Sequence, residues 1–174
     1  YQNLVLVGGG IGCAVIYPQA KLRRQKGLKS DVIMGARTKE LLFDIDEFKA
    51  NCDNVYISTD DGSLGTKGFV TTVLQERIDA GDKIDCVLVV GPMIMMKNVS
   101  ELTRKYNIPT VVSMNTIMVD GTGMCGGCRL TVDGQTKYAC VDGPEFDGHK
   151  VDFDEAMMRS KFYREHEQKC NLRG

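Results

Sequence analysis

The chain has 174 residues, enough for one domain with a full core and an appendage. Charged residues make up 26% and the net charge is −1, so electrostatics gives no reason to expect binding to nucleic acid or to an anionic membrane. The longest apolar runs, such as 87–90 ahead of Gly91-Pro92, are far too short to span a bilayer, and no basic-then-apolar leader precedes the first strand.

Residues 3–7 read as a short buried strand, and Gly8, Gly9, Gly10, Ile11 and Gly12 follow at once. A helix with Ile11, Ala14, Val15, Pro18 and Leu22 on one face is expected next, ending near Gly27. Strand, glycine turn and helix is the arrangement in which a helix N-terminus receives a phosphate. The glycines do not match G-x-G-x-x-G, because Cys13 sits where the last would fall, and a tight turn without a ligand is the competing reading. A second strand over 31–34 leads into Gly35-Ala36-Arg37 and a helix with Leu41, Ile45 and Phe48 on one side. The third strand, 54–58, ends in Thr59-Asp60-Asp61-Gly62-Ser63, and its helix shows Val70, Val73, Leu74 and Ile78. A fourth, 85–90, ends in Gly91-Pro92-Met93 before a helix bearing Met95, Val99, Leu102 and Tyr106, and 110–113 forms the fifth. Apolar strands alternating with amphipathic helices predict an α/β fold, a doubly wound five-stranded parallel sheet with right-handed crossovers.

Ligands of such sheets bind beyond the carboxyl ends of the strands. That rule places Gly8 to Gly12, Thr59 to Asp61, and Gly91, Pro92 and Met93 along one rim. A carboxylate accepts hydrogen bonds from an adenosine ribose and repels a 2′-phosphate, so Asp60 and Asp61 favour NAD(H) over NADP(H). A solvated acidic turn is the plainer alternative for the same residues.

Past the fifth strand the pattern changes to a glycine-rich stretch over 115–150. Asp120-Gly-Thr-Gly-Met-Cys125-Gly-Gly-Cys128 is followed twelve residues after the pair by Cys140. Both residues between Cys125 and Cys128 are glycine, which lets backbone amides turn toward a bound centre. Thiols at this spacing suit a metal or an iron–sulfur cluster better than a disulfide. A zinc knuckle and a strained turn holding two buried thiols are the alternatives. Strand-like pieces at 130–132 and 138–141 flank Asp133-Gly134, a hairpin signal, and 154–168 reads as a mostly charged helix. Of the seven cysteines, Cys13, Cys52, Cys86 and Cys170 are scattered, which fits a reducing cytoplasm better than a disulfide framework.

Together these motifs resemble the NAD-binding half of the ferredoxin reductase superfamily. Within it the chain is similar to the small subunits of NADH-dependent reduced ferredoxin:NADP oxidoreductases, with dihydroorotate dehydrogenase electron-transfer subunits as near relatives. Gly8 to Gly12 with Tyr17, Pro18 and Lys21, residues 59–68, residues 91–96, and 120–129 with 140–147 carry the likeness. Val15 departs from it, standing where proline often follows the alanine. The resemblance implies a nucleotide domain over 1–114, a [2Fe–2S] module over 115–150 and a tail over 151–174. It implies Cys125, Cys128 and Cys140 as cluster ligands with Asp120 as the fourth, a turn-forming Asp-Gly being the plainer alternative for that aspartate. Also implied are an FAD-binding barrel ahead of the sheet, a larger iron–sulfur flavoprotein partner, and ferredoxin reached through that partner. The start at Tyr1, almost directly in a buried-looking strand with no initiator Met, reads as a piece cut from a longer protein. Two other functions stay in view: a dihydroorotate dehydrogenase electron-transfer subunit, and a zinc-stabilised nucleotide-binding module without redox activity.

Overall fold

Alternation along β1 (Asn3–Gly9) decides which layer each side chain joins. In the computed structural model, which describes residues 1–162 with Gln168 and Cys170, Val5 and Val7 pack on one face with Ile33, Val87 and Val89. Leu6 points the other way and packs with Val32, Met34 and Ile16. Both faces of the strand are therefore buried, the condition under which a sheet is covered by helices on both sides.

The covering helices arrive in pairs. β1 is followed by α1 (Gly12–Gln25), β2 (Lys29–Ala36), α2 (Ile45–Asn51) and β3 (Asn54–Thr59). A two-residue strand β4 (Thr66–Lys67) then precedes α3 (Val70–Asp79), β5 (Cys86–Val90), α4 (Met93–Lys105) and β6 (Thr110–Ser113). The sheet order is β4-β3-β2-β1-β5-β6-β9, where β9 (Glu145–Asp147) comes from the C-terminal region. All neighbours are parallel except β6 and β9. The five expected strands are present, with two short edge strands the sequence pattern did not announce. The strand order reverses between β1 and β5, and the crevice at that switch point is where such sheets take ligands.

The helix faces correct part of the sequence reading. On α1 the buried residues are Gly12, Cys13, Ile16 and Ala20, whereas Ile11, Val15 and Leu22 are exposed. The cause is the closeness of α1 to β5: a Cβ on Gly12 would lie 2.2 Å from the Val90 carbonyl oxygen. A helix at that distance turns its smallest residues to the strand, and apolar periodicity alone selects the bulky ones. Leu41 stands exposed on a separate turn, and Tyr106 is exposed just past the end of α4. The faces of α3 and of α2 from Ile45 to Phe48 pack as expected.

After β6 the chain forms the hairpin β7 (Arg129–Val132) and β8 (Gln135–Tyr138), turning through Asp133 and Gly134 at φ of 53° and 72°. Positive φ at both central residues is the signature of the tight hairpin turn. Tyr138–Val141 was expected as a strand, but β8 stops at Tyr138 and α5 (Ala139–Asp142) follows. The Asp142 carboxylate accepts from the Tyr138 amide at 2.7 Å, which closes this coil and carries Cys140 back toward Cys128.

α6 (Phe153–Ser160) begins at Asp152, whose carboxylate caps the Glu155 amide at 2.9 Å. The rest of the expected helix, 163–167, lies outside the described residues. Cys128, Leu130, Ala139, Phe146 and Phe153 belong to the same buried cluster as Val87, Val89 and Val112. The module and the sheet thus share one core.

Candidate functional site

At the carboxyl ends of β1, β2, β3 and β5 lies a cleft of about 680 Å³. Of the residues expected on the rim, Gly9, Gly10, Ile11, Asp60 and Pro92 line it. Gly10 sits at φ +54°, and its amide donates to the Gly35 carbonyl at 2.9 Å, so the turn is fixed by backbone alone. Neither α1 nor α4 carries a side-chain cap or an acidic residue in its first turn. No side chain or carboxylate there competes with an anion for their positive dipole ends.

Other expected residues act from behind the rim. A Cβ on Gly8 would strike Cys13 and Ile16 at 2.8 Å, and one on Gly91 would come within 3.1 Å of the Gly9 backbone. With Gly12 they set spacing and do not line the cleft. The Thr59 hydroxyl is buried, donating to the Leu64 carbonyl at 2.8 Å and accepting from its amide at 3.1 Å. Asp61 faces away and holds the turn, accepting from the Ser63 hydroxyl at 2.7 Å and its amide at 2.9 Å. Those two bonds, the hydroxyl first, keep its carboxyl below the usual carboxylate range. Met93 points into a different cavity, beside the cysteine loop.

Arg37, Ser58, Phe69, Ile94 and Met95 also line the cleft and were not singled out from the sequence. Arg37 stands at the end of β2, where the rule for parallel sheets could have found it. Ser58 is the more telling one: it is buried and its hydroxyl has no hydrogen-bond partner among the described residues. An orphaned hydroxyl at the floor of a cleft fits a ligand that supplies its bond. Phe69, Ile94 and Ile11 give the walls the apolar surface an aromatic base needs.

The second assembly is the cysteine loop. The Cys128 thiol donates to Cys140 Sγ at 3.3 Å. Two thiolates on one tetrahedral metal with bonds of ~2.3 Å sit ~3.8 Å apart, so this pair is close to a chelating spacing. Cys140 is pushed above the ordinary thiol range, first by its bond to Cys128, then by burial and by the charge of Cys128. Asp120 lies with Cys125. Its carboxylate accepts from the Thr122 amide at 2.7 Å and from the Cys125 amide at 3.1 Å, and both oxygens are used in shaping the loop. The Thr122 amide is the largest cause of its lowered pKa, with the Cys125 thiol contributing. Gly121, Gly123 and Gly126 all have positive φ, and the Gly127 amide donates to Cys125 Sγ at 3.4 Å. Of the four expected donors, the thiols of Cys128 and Cys140 stand side by side while Asp120 bonds the Cys125 backbone, and among the described residues no three such side chains converge as a ready metal site. This donor set fits a cluster chemically.

The first turn of α4 separates the two assemblies. Pro92, Ile94 and Met95 line the cleft, while Met93 lines a cavity of about 260 Å³ shared with Cys125, Gly126 and Gly127. Residues 115–152 match the iron–sulfur cluster binding domain of dihydroorotate dehydrogenase B. A dihydroorotate dehydrogenase B (NAD(+)) electron transfer subunit homolog from Thermotoga maritima is 51% identical over 168 residues, covering 97% of this chain and 59% of its own length. A solved NADH-dependent reduced ferredoxin-NADP oxidoreductase, described for flavin-based electron bifurcation, aligns with a TM-score of 0.90 and 48% identity. That match covers 99% of this chain and 62% of the other. Over nearly its full length the chain is similar to ferredoxin-reductase-like electron-transfer subunits. It spans about three fifths of the length of these relatives. In this ferredoxin-reductase-like chain no helix among the described residues is long and apolar enough to cross a membrane.

Proposed function

We propose that the chain is the NAD(H)- and [2Fe–2S]-binding part of an electron-transfer subunit, working in a ferredoxin:NAD(P) oxidoreductase of the electron-bifurcating type. The observation that carries this reading is the single helical turn of α4 shared by a dinucleotide-shaped cleft and a thiol loop. Cys125, Cys128, Cys140 and Asp120 would hold the cluster, four donors in all for two irons. Gly9, Gly10 and the uncapped starts of α1 and α4 would receive the pyrophosphate, and Asp60 the adenosine ribose. Asp60 disfavours a 2′-phosphate, which supports NAD(H) over NADP(H). A nicotinamide exchanges two electrons as hydride and a cluster exchanges one, so a flavin, FAD, is needed between them. The FAD site, a larger iron–sulfur flavoprotein partner, ferredoxin reached through it, and a cytoplasmic setting complete the proposal. Its parts are a nucleotide domain over 1–114, the cluster module over 115–150 and the tail over 151–174.

A second reading, the electron-transfer subunit of a dihydroorotate dehydrogenase, is favoured by the match over 115–152. Electron exchange with dihydroorotate by the partner subunit would decide for it. The experiment that tests the main reading is anaerobic purification of the intact protein with iron, sulfide and zinc analysis. About two irons and two sulfides per chain and a red-brown colour are expected. A colourless protein with one zinc would overturn the reading in favour of a zinc-stabilised nucleotide module.

A further inference from the structure

Arg159, on the last turn of α6, reaches into the cavity beside Cys125. Its Nε donates to the Arg129 carbonyl at 3.1 Å, and its Nη2 donates to the Gly127 carbonyl at 3.5 Å. Those carbonyls belong to the residues on either side of Cys128, so one guanidinium brackets the backbone at that position. Arg129 adds a bond of its own from Nη1 to the Gly126 carbonyl at 3.3 Å. The position of Arg159 is not left to its own rotamers. Phe153 and Ala156 bury the inner face of α6, and Lys97 of α4 binds Asp154 at 2.7 Å.

We infer that Arg159 is a positioning residue for the cysteine loop: its fork holds the Gly127 and Arg129 carbonyls that bracket Cys128, and its charge favours the reduced state of the bound cluster. The inference rests on the iron–sulfur reading above. A planar fork can hold two carbonyls at a set spacing, whereas an ammonium is a point charge on a flexible stem. Reduction adds a negative charge, and a fixed cation nearby stabilises the more negative state. Net charge and hydrogen bonding around the sulfurs are among the determinants of cluster potential.

Two variants separate the fork from the charge. Arg159→Met removes both, and Arg159→Lys removes the fork and keeps the charge. The reduction potential is read by an EPR-monitored titration of the intact, iron-loaded protein. Amide hydrogen exchange over 126–130 is read in the metal-free protein. In the Met variant the electron-exchange equilibrium shifts against reduction by about tenfold, or about 59 mV for a one-electron couple. The Lys variant keeps its potential near that of the parent, and both variants exchange faster over 126–130. A Met variant with the parent's potential, a Lys variant as low as Met, or unchanged exchange in both would overturn the role of Arg159. A parent protein that binds no iron would instead overturn the cluster reading, and the exchange measurement would still judge the fork.

Discussion

Gly12 and Asp60 act at the scale of single atoms, one by lacking a methyl group and the other by carrying a charge. An added Cβ at Gly12 would lie 2.2 Å from the Val90 carbonyl oxygen, a contact that only backbone movement can relieve. Gly12→Ala is expected to cost about 1–3 kcal/mol in denaturant unfolding and to weaken NADH binding, because α1 and its amides are pushed off the rim. Asp60 lines the cleft opposite the glycine turn. Replacing it with Ala is expected to raise the affinity for NADPH relative to NADH about tenfold, ~1.4 kcal/mol, in ligand titrations of the intact protein. An unchanged ratio would remove Asp60 from nucleotide selection. Among the thiols, Cys125→Ala, Cys128→Ala and Cys140→Ala together are expected to abolish iron binding in the intact protein, as measured by metal analysis.

Between elements, the contact of the module with α4 is polar and includes one titratable ring. His149 Nε2 lies 3.0 Å from the Thr103 hydroxyl, which also accepts from Thr110 at 2.6 Å, and Arg104 donates to the His149 carbonyl. Burial first, then the Arg104 charge, lowers the His149 pKa, and Asp147 opposes them. The unfolded chain then binds the extra proton more readily, so stability rises with pH across this titration. The contribution is present above about pH 6.5 and is lost as pH falls below it. Denaturant unfolding at pH 7.5 and pH 5.5 is expected to show a drop in stability that His149→Gln diminishes. A drop of equal size in both proteins would assign the effect elsewhere.

Over the whole molecule, one core joins the sheet to the thiol loop. Leu130 is completely buried in the cluster that holds Val89 and Val112. Leu130→Ala is expected to destabilise the entire chain by about 2–5 kcal/mol in a single unfolding transition. Separate transitions for the module and the sheet would show that the shared core does not couple them.

The parallel sheet and the glycine turns at its strand ends were legible in the sequence alone, because continuous apolar runs broken by glycine are local signals. It also placed the Asp133-Gly134 turn, whose two positive φ values demand such residues. Only the tertiary structure decided that α1 buries Gly12, Ile16 and Ala20 and exposes Ile11 and Val15, since the nearness of β5 overrides bulk apolarity. It likewise turned Ala139–Asp142 into a helical turn and set β9 against β6, a pairing that depends on a partner far along the chain. Ser58 and Arg159 could not be read in order along the chain, because each gains its meaning from residues that folding brings beside it.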